Sequence, residues 1–399
     1  MDFSFSQEQE LLRKTARDFL QRECPTDLVR RMEEDDRGYP VDLWRKIAEL
    51  GWLGLPFPKE HGGAGGTFLD LAALLEEVGR ALAPAPIFST VVLGGLPIAE
   101  FGTDEQRAFF LPAIASGDAI LSFGMLEHRG SYRPEGIRLT ATHDGNGFRL
   151  NGTKIFVENA HVADHLLVSV RMWSGGSDGA GVTVFIVDPK APGVTIEPLR
   201  PLSLEKQWEV TFDGVRVTEE QALGTVGAGW PVVQRTLEWA VAAQCAQAVG
   251  GAQAVLEMAV EYAKGRVQFQ RPIGSFQAIQ HHAADMYSDV ETMRLITYEL
   301  AWLVSQGRPC AEELAVAKTW VSSAYTRMTR MGIQIYGGIG MAKEMDPQLY
   351  FRRAKAWEPL FGGPDEHRAV LAETLGAVTI GAETIGADTR NGDGPGLST

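Results

Sequence analysis

The chain has 399 residues, 45% of them hydrophobic and 22% charged, which is enough for two or three domains around a sizeable core. Its 37 basic residues against 51 acidic ones leave a net charge of −14. That balance argues against a nucleic-acid binder, which needs basic surface to replace counterions. Cys24, Cys245 and Cys310 lie far apart with no CxxC pairing, so neither a disulfide framework nor a zinc site is expected. The start, "MDFSFSQEQELLRK", is amphipathic and polar, without the basic-then-apolar pattern of a signal or transit peptide. No uncharged apolar run approaches about 18 residues, so a cytoplasmic protein with no membrane span is expected.

Residues 1–118 read as a helical domain. "SQEQELLRKTARDFLQREC" opens with the Ser of a capping-box pattern, and Leu11, Leu12, Ala16, Phe19 and Leu20 follow at helical spacing. "VDLWRKIAELGWLGL", "TFLDLAALLEEVGRALA" and "TDEQRAFFLPAIASGD" continue the block, with "PFPKEHGGAGG" as a Pro/Gly loop. From 119 to 225 the period becomes two. "GFRLNGTKIFVENA" sets Asn-Gly between two apolar segments, the strongest local signal for a hairpin, and "HLLVSVR", "GVTVFIVDP", "GVTIEPL" and "WEVTFDGVRV" are further strands. This is a central antiparallel β domain.

Over 226–385 the helical period returns. A very long helix starts at "WPVVQRTLEWAV", Pro231 being tolerated in its first turn, and is followed by helices over roughly 276–306 and 310–336. A long helix apolar on all sides belongs inside a bundle or at an oligomer interface. Gly250 and Gly251 within it leave room for a bulky group or, more commonly, allow close helix packing. Residues 386–399 read as a flexible polar tail. The fold class is α+β: N-terminal helices, a β domain, a four-helix bundle.

Several tempting motifs lead nowhere. "GGIGM" (337–341) resembles a phosphate loop but follows a helix rather than a strand. His281 and His282 point about 100° apart on a helix and do not readily share a metal. Glu366 and His367 lack a partner nucleophile. "EYAKGRVQFQRPIGSFQAIQHHAADM" (261–286) is different, because a helical pattern is interrupted by cations and aromatics, which suits a ligand better than a plain corner.

With that stretch, the domain order and the segments "GLPFPKEHGGAGGTFLDLAALLEEVGRALAP", "LNGTKIFV", "VTFDGVRV" and "QIYGGIGMAKEMDPQLYFRRAKA", the chain resembles the acyl-CoA dehydrogenase family of flavoproteins over nearly its whole length. The resemblance implies that the kink grips the diphosphate and adenosine half of an FAD belonging to a neighbouring subunit. Arg266 would pair with pyrophosphate oxygens, Gln268 and Gln277 would make polar contacts, and Phe269 would pack on the dinucleotide. Gln334, Gly337 and Gly338 would meet the same cofactor, the glycines allowing close backbone approach. It also implies an acyl-CoA substrate and electron-transfer flavoprotein as acceptor. The assembly would be a homo-oligomer, dimer or tetramer, or a hetero-oligomer with a related subunit.

At the flavin-ring end the family's pattern is departed from. Phe123, Gly124, Met125 and Leu126 replace a polar run. Phe156 keeps an aromatic beside the ring, while Glu158 stands where a hydroxyl is usual, either repelling a reduced flavin or turning away. Removal of the substrate's α-proton needs a carboxylate in a dry pocket. Counting from Gln334 puts Phe361 at the usual base position, and counting from "GAGW" puts Ala240 at the alternative one. Glu358 remains as a candidate base. Glu238, about 200° around the helix from residue 240, points away from the alternative base position, and the resemblance implies a contact with the substrate's pantetheine chain instead. Three readings follow, in order: an FAD-dependent acyl-CoA dehydrogenase with an unassigned base, a half-site subunit completed by a homologous partner, and a flavin oxidase or monooxygenase of the same fold.

Overall fold

Reciprocal capping boxes start three helices of the N-terminal block. The Ser6 hydroxyl accepts from the Gln9 amide at 3.2 Å while the Gln9 side chain accepts from the Ser6 amide at 3.0 Å. Thr67 with Asp70 and Thr103 with Gln106 repeat the device, satisfying amides that a helix start leaves orphaned. The computed structural model describes residues 5–172 and 179–376. In this block run α1 (Gln7–Glu23), α2 (Thr26–Glu34), α3 (Val41–Glu49), α4 (Phe68–Ala81), α5 (Leu96–Phe101) and α6 (Asp104–Ala115), with a π-helical segment Phe88–Gly95 between α4 and α5.

The β domain holds β1 (Leu121–Gly124), β2 (Thr140–Asp144), β3 (Gly147–Glu158), β4 (His165–Arg171), β5 (Val182–Val187), β6 (Val194–Leu199), β7 (Gln207–Thr218) and β8 (Ala222–Leu223). The sheet order is β6-β7-β3-β2-β4-β5-β8, antiparallel except that β1 lies parallel to β4 and one β2 residue pairs parallel with it. The parallel pair arises because the chain crosses over through β2 and β3 before β4 returns beside β1. The hairpin expected at Asn151-Gly152 is not there. The turn lies at residues 145–146, joining Asp144 to Gly147, and β3 runs straight through 151–152 with a register shift between Leu150 and Asn151. Gly152 is needed there for φ 141°, and a Cβ on it would meet Leu139 Cα at 2.9 Å. The Asn151 side chain accepts from the Gly214 amide at 2.9 Å. Asn-Gly therefore marks a bulge.

The bundle consists of α7 (Trp230–Gly265), α8 (Gln277–Ser305), α9 (Ala311–Tyr336), α10 (Pro347–Trp357) and α11 (Pro364–Thr374). Gly250 and Gly251 serve close packing: a Cβ on Gly250 would lie 1.7 Å from the Glu76 carbonyl oxygen of α4, and one on Gly251 2.3 Å from the Tyr325 hydroxyl of α9. Below that crossing, Glu76 and Glu77, each 1% exposed, meet Arg13 and Arg17 of α1 and Arg294 and Tyr298 of α8. Such buried charges fix the register of three helices rather than adding net stability. The tail 386–399 lies outside the described residues. None of the described helices is long and apolar enough to cross a membrane.

Candidate active site

Between α7 and α8 the chain folds into a small hairpin, β9 (Val267–Gln268) against β10 (Arg271–Pro272), with Phe269 and Gln270 turning the corner at φ 52° and 65°. Phe269 is 86% exposed at the tip, with the Phe276 ring edge-on to it at 6.0 Å. Arg271 sits 4.1 Å over the Phe276 ring. Arg266, Gln268 and Gln277 are exposed, and the Arg266 guanidinium has no ion-pair partner among the described residues.

A second group lies at the same end of the bundle. Tyr262 of α7 stacks on Tyr336 of α9 with ring centres 4.1 Å apart, and its hydroxyl donates to the Tyr336 carbonyl at 3.4 Å. Gln334, Gly337 and Gly338 are therefore neighbours of the hairpin. Gly337 has φ 72°, and open space surrounds both glycines where a Cβ would stand. An unpaired guanidinium, an uncovered phenyl ring and bare backbone fit a dinucleotide, whose phosphates take the cation and whose rings take the phenyl.

Phe156 and Glu158 lie elsewhere, and no hydrogen bond links them to the hairpin among the described residues. A bulge in β3 between Lys154 and Val157 throws Phe156 into the left-handed region at φ 54°, leaving it 41% exposed. Conformations of that kind gather at ligand sites. Lys154, fully buried on the same strand, donates to Glu127 at 2.7 Å, Ser169 at 3.1 Å and the Met125 carbonyl at 3.3 Å. It thereby anchors the apolar 123–126 stretch beside Phe156.

An apolar cavity there is lined by Leu93, Phe123, Met125, Leu360 and Phe361 together with Phe156 and Glu158. Phe361, at φ 59° and 7% exposed, is wedged with ring centres 5.7 Å from Phe88 and 5.8 Å from Tyr132. Ala240 is fully buried in the core. The remaining carboxylates are engaged. Glu358 is ion-paired with Lys355 at 2.5 Å. Glu238, expected at the substrate, is ion-paired with Arg235 at 2.7 Å, beside Glu100 and the Val304 carbonyl, and lines neither cavity next to Phe156.

Glu158 is the exception. It borders the apolar cavity and also a second, polar one of about 100 Å³. Burial chiefly, then Glu205, pushes its carboxyl up to about 8 against the pull of Arg353. It is therefore largely protonated at neutral pH and repels no reduced flavin. Sequence reasoning missed the polar lining, Gln244, Gln247 and Arg353. The signal was present: two glutamines three apart in "AVAAQCAQAVGG" share a helix face amid Ala and Val.

All three domains of one family match the chain: the acyl-CoA dehydrogenase N-terminal domain over residues 6–118, the middle domain over 122–215 and the C-terminal domain over 227–376. The chain belongs to the acyl-CoA dehydrogenase family. The probable acyl-CoA dehydrogenase YngJ of Bacillus subtilis is 34% identical, covering 94% of this chain and 100% of its own. Butyryl-CoA dehydrogenase from Megasphaera elsdenii superposes with a TM-score of 0.85 at 31% identity, over 94% of this chain and 100% of that one. The ChsE4-ChsE5 complex from Mycobacterium tuberculosis gives 0.86 at 29% identity, over 94% and 99%. Short-chain acyl-CoA dehydrogenases and a subunit of a caffeyl-CoA reductase-Etf complex are also among the relatives. FAD is the cofactor of this acyl-CoA dehydrogenase, and oxidation of acyl-CoA thioesters is its activity class.

Proposed function

We propose that this acyl-CoA dehydrogenase works as the FAD-holding subunit of a two-chain enzyme, with a homologous partner supplying the carboxylate base. One observation carries this: Phe361 fills the place expected for the base, packed between Phe88 and Tyr132. Most of the carboxylates nearby are ion-paired or protonated. The relative described as a complex of two chains supports such a division of labour.

In the reaction the α-proton passes to a carboxylate while the β-carbon loses a hydride and a double bond forms between them. FAD, when bound, accepts that hydride. Arg266 would neutralise the pyrophosphate, Gln268, Gln277 and Gln334 would hydrogen-bond it or its sugar, and Phe269 would cover the rings. Gly337 and Gly338 let backbone amides approach. Phe156 would lie against the ring system, and the apolar cavity would exclude water from the reacting carbons. Electron-transfer flavoprotein would serve as the electron acceptor, a reading that the Etf-complex relative supports. In this reading the hairpin of one chain and Phe156 of another hold the same FAD, so the oligomer contains at least two chains.

Glu158 gives a second reading, as an in-chain base, because it borders both cavities with a pKa suited to taking an α-proton. Anaerobic addition of an acyl-CoA to the FAD-loaded single chain decides between them. Unchanged flavin bands that bleach only when the partner is present support the two-chain reading. Bleaching by the single chain refutes it, and loss of that bleaching in Glu158→Gln assigns the base to Glu158.

A further inference from the structure

The polar cavity is lined by side chains with unusual commitments. Gln244 and Gln247 on α7 are 6% and 7% exposed, and Arg353 on α10 is 9% exposed. Lys318 of α9, 1% exposed, places its ammonium 2.5 Å from Gln244 Oε1 and 3.2 Å from the Trp357 carbonyl. An ammonium only donates, so the Gln244 oxygen must face Lys318 and its NH₂ group is left to the cavity. Glu205 plays the matching part on the other side. It pairs with Arg353 Nε at 3.2 Å and accepts from Trp357 Nε1 at 2.8 Å, leaving the terminal nitrogens of the guanidinium free. Two fixed donors, the Gln244 NH₂ group and the Arg353 guanidinium, thus line one cavity that water reaches, where an acceptor on a ligand can replace that water with direct hydrogen bonds.

We infer that this cavity receives a compact, uncharged oxygen acceptor, a ketone, amide or hydroxyl, carried on the acyl part of the thioester. The donors are Gln244 and Arg353, and Lys318 is the positioning residue. The inference rests on the acyl-CoA activity above and adds the class of acyl group. Three features set that class. Donors facing the space call for an acceptor, which a saturated alkyl chain lacks. The surrounding carboxyls of Glu158, Glu205 and Glu33 disfavour an anionic one, since Arg353 is already matched by Glu205 and Glu33 by Arg352. About 100 Å³ of room is less than the roughly 150 Å³ that encloses a benzene ring, so the group is small.

The test is equilibrium binding to the FAD-loaded chain of two thioesters equal in length, octanoyl-CoA and 7-oxo-octanoyl-CoA. We expect the keto ester to bind at least tenfold tighter. In Gln244→Leu, of similar volume, that preference falls to near unity, and in Lys318→Met it falls several-fold while FAD content and octanoyl-CoA binding stay unchanged. A purely structural role for Lys318 would weaken both ligands alike. Equal binding of the two esters to the parent, or a preference that survives Gln244→Leu, overturns the inference alone. Binding of neither ester overturns it together with the acyl-CoA assignment of this site.

Discussion

Glu158→Gln should make the protein more stable in alkaline solution and leave it unchanged in acid. The native structure holds this carboxyl at about 8, against 4.5 for an ordinary glutamate. Below 4.5 it is neutral both folded and unfolded and contributes no pH dependence. As pH rises from 4.5 towards 8, only the unfolded chain releases the proton, so the native state loses stability progressively and the loss is complete above 8. At about 1.4 kcal/mol per pH unit, the interval corresponds to about 5 kcal/mol if the carboxyl were wholly dry. The group faces a cavity that water reaches, and Arg353 opposes the effect, so about 2 kcal/mol is the working expectation. Glutamine keeps the shape and the donor and cannot ionise. Urea titrations of parent and variant should coincide near pH 5 and separate by that amount at pH 9, the variant being the more stable. Parallel curves at both pH values would refute the claim that Glu158 is held neutral.

Arg266→Ala is expected to weaken FAD retention at least tenfold with the urea midpoint of the cofactor-free protein unmoved, because the side chain contacts solvent in the fold; flavin absorbance after gel filtration reads this directly. Gly250→Ala should destabilise by about 3 kcal/mol or more, since both the new Cβ and the Glu76 carbonyl belong to helix backbones that must separate. Gly251→Ala should do less harm, because the new Cβ meets the Tyr325 side chain at 2.3 Å rather than a helix backbone at 1.7 Å; paired denaturation curves compare them. Arg13→Met removes one partner from Glu76 and Glu77, but Arg17, Arg294 and Tyr298 remain, so the unfolding free energy from urea titration should fall by about 2 kcal/mol rather than the roughly 4 of a fully broken buried pair. Phe361→Glu should give the single chain a flavin-bleaching activity that the parent lacks, measured anaerobically with an acyl-CoA; no gain would count against the base position assigned to residue 361.

Much of the fold was legible because period and capping are local properties. The capping-box Ser that opens the first helix, the long run from Trp230 and the change to period two near residue 119 need no tertiary information. What failed was an inference that local chemistry does not settle. Asn151-Gly152 has the composition of a type I′ turn, yet tertiary contacts claim it: Leu139 leaves no space for a Cβ at 152, and Gly214 takes the Asn151 side chain. The turn moved to residues 145–146, where Gly145 has φ 63° and nothing close by. A two-residue signal marks where the backbone needs freedom, and only the partner strand decides whether that freedom makes a turn or a bulge.

The site divides along the same line. Hairpin residues 266–277 stand out in the sequence because cations and an exposed aromatic interrupt a helical pattern over a dozen positions. The polar cavity could not stand out that way. Gln244 and Lys318 are 74 residues apart, and either alone in an apolar helix reads as a tolerated exception. Only their contact reveals that the amide oxygen is taken and its nitrogen offered. Glu158 shows the same dependence in charge: burial, and then Glu205 from a loop, turn an expected carboxylate into a largely neutral carboxyl against the pull of Arg353 on α10. Glu238 shows it in reverse, since an acidic residue at a position associated with substrate finds Arg235 one turn away and is satisfied there. Residue type proposes a chemistry at each of these positions, and the neighbours decide whether the group is left free to perform it.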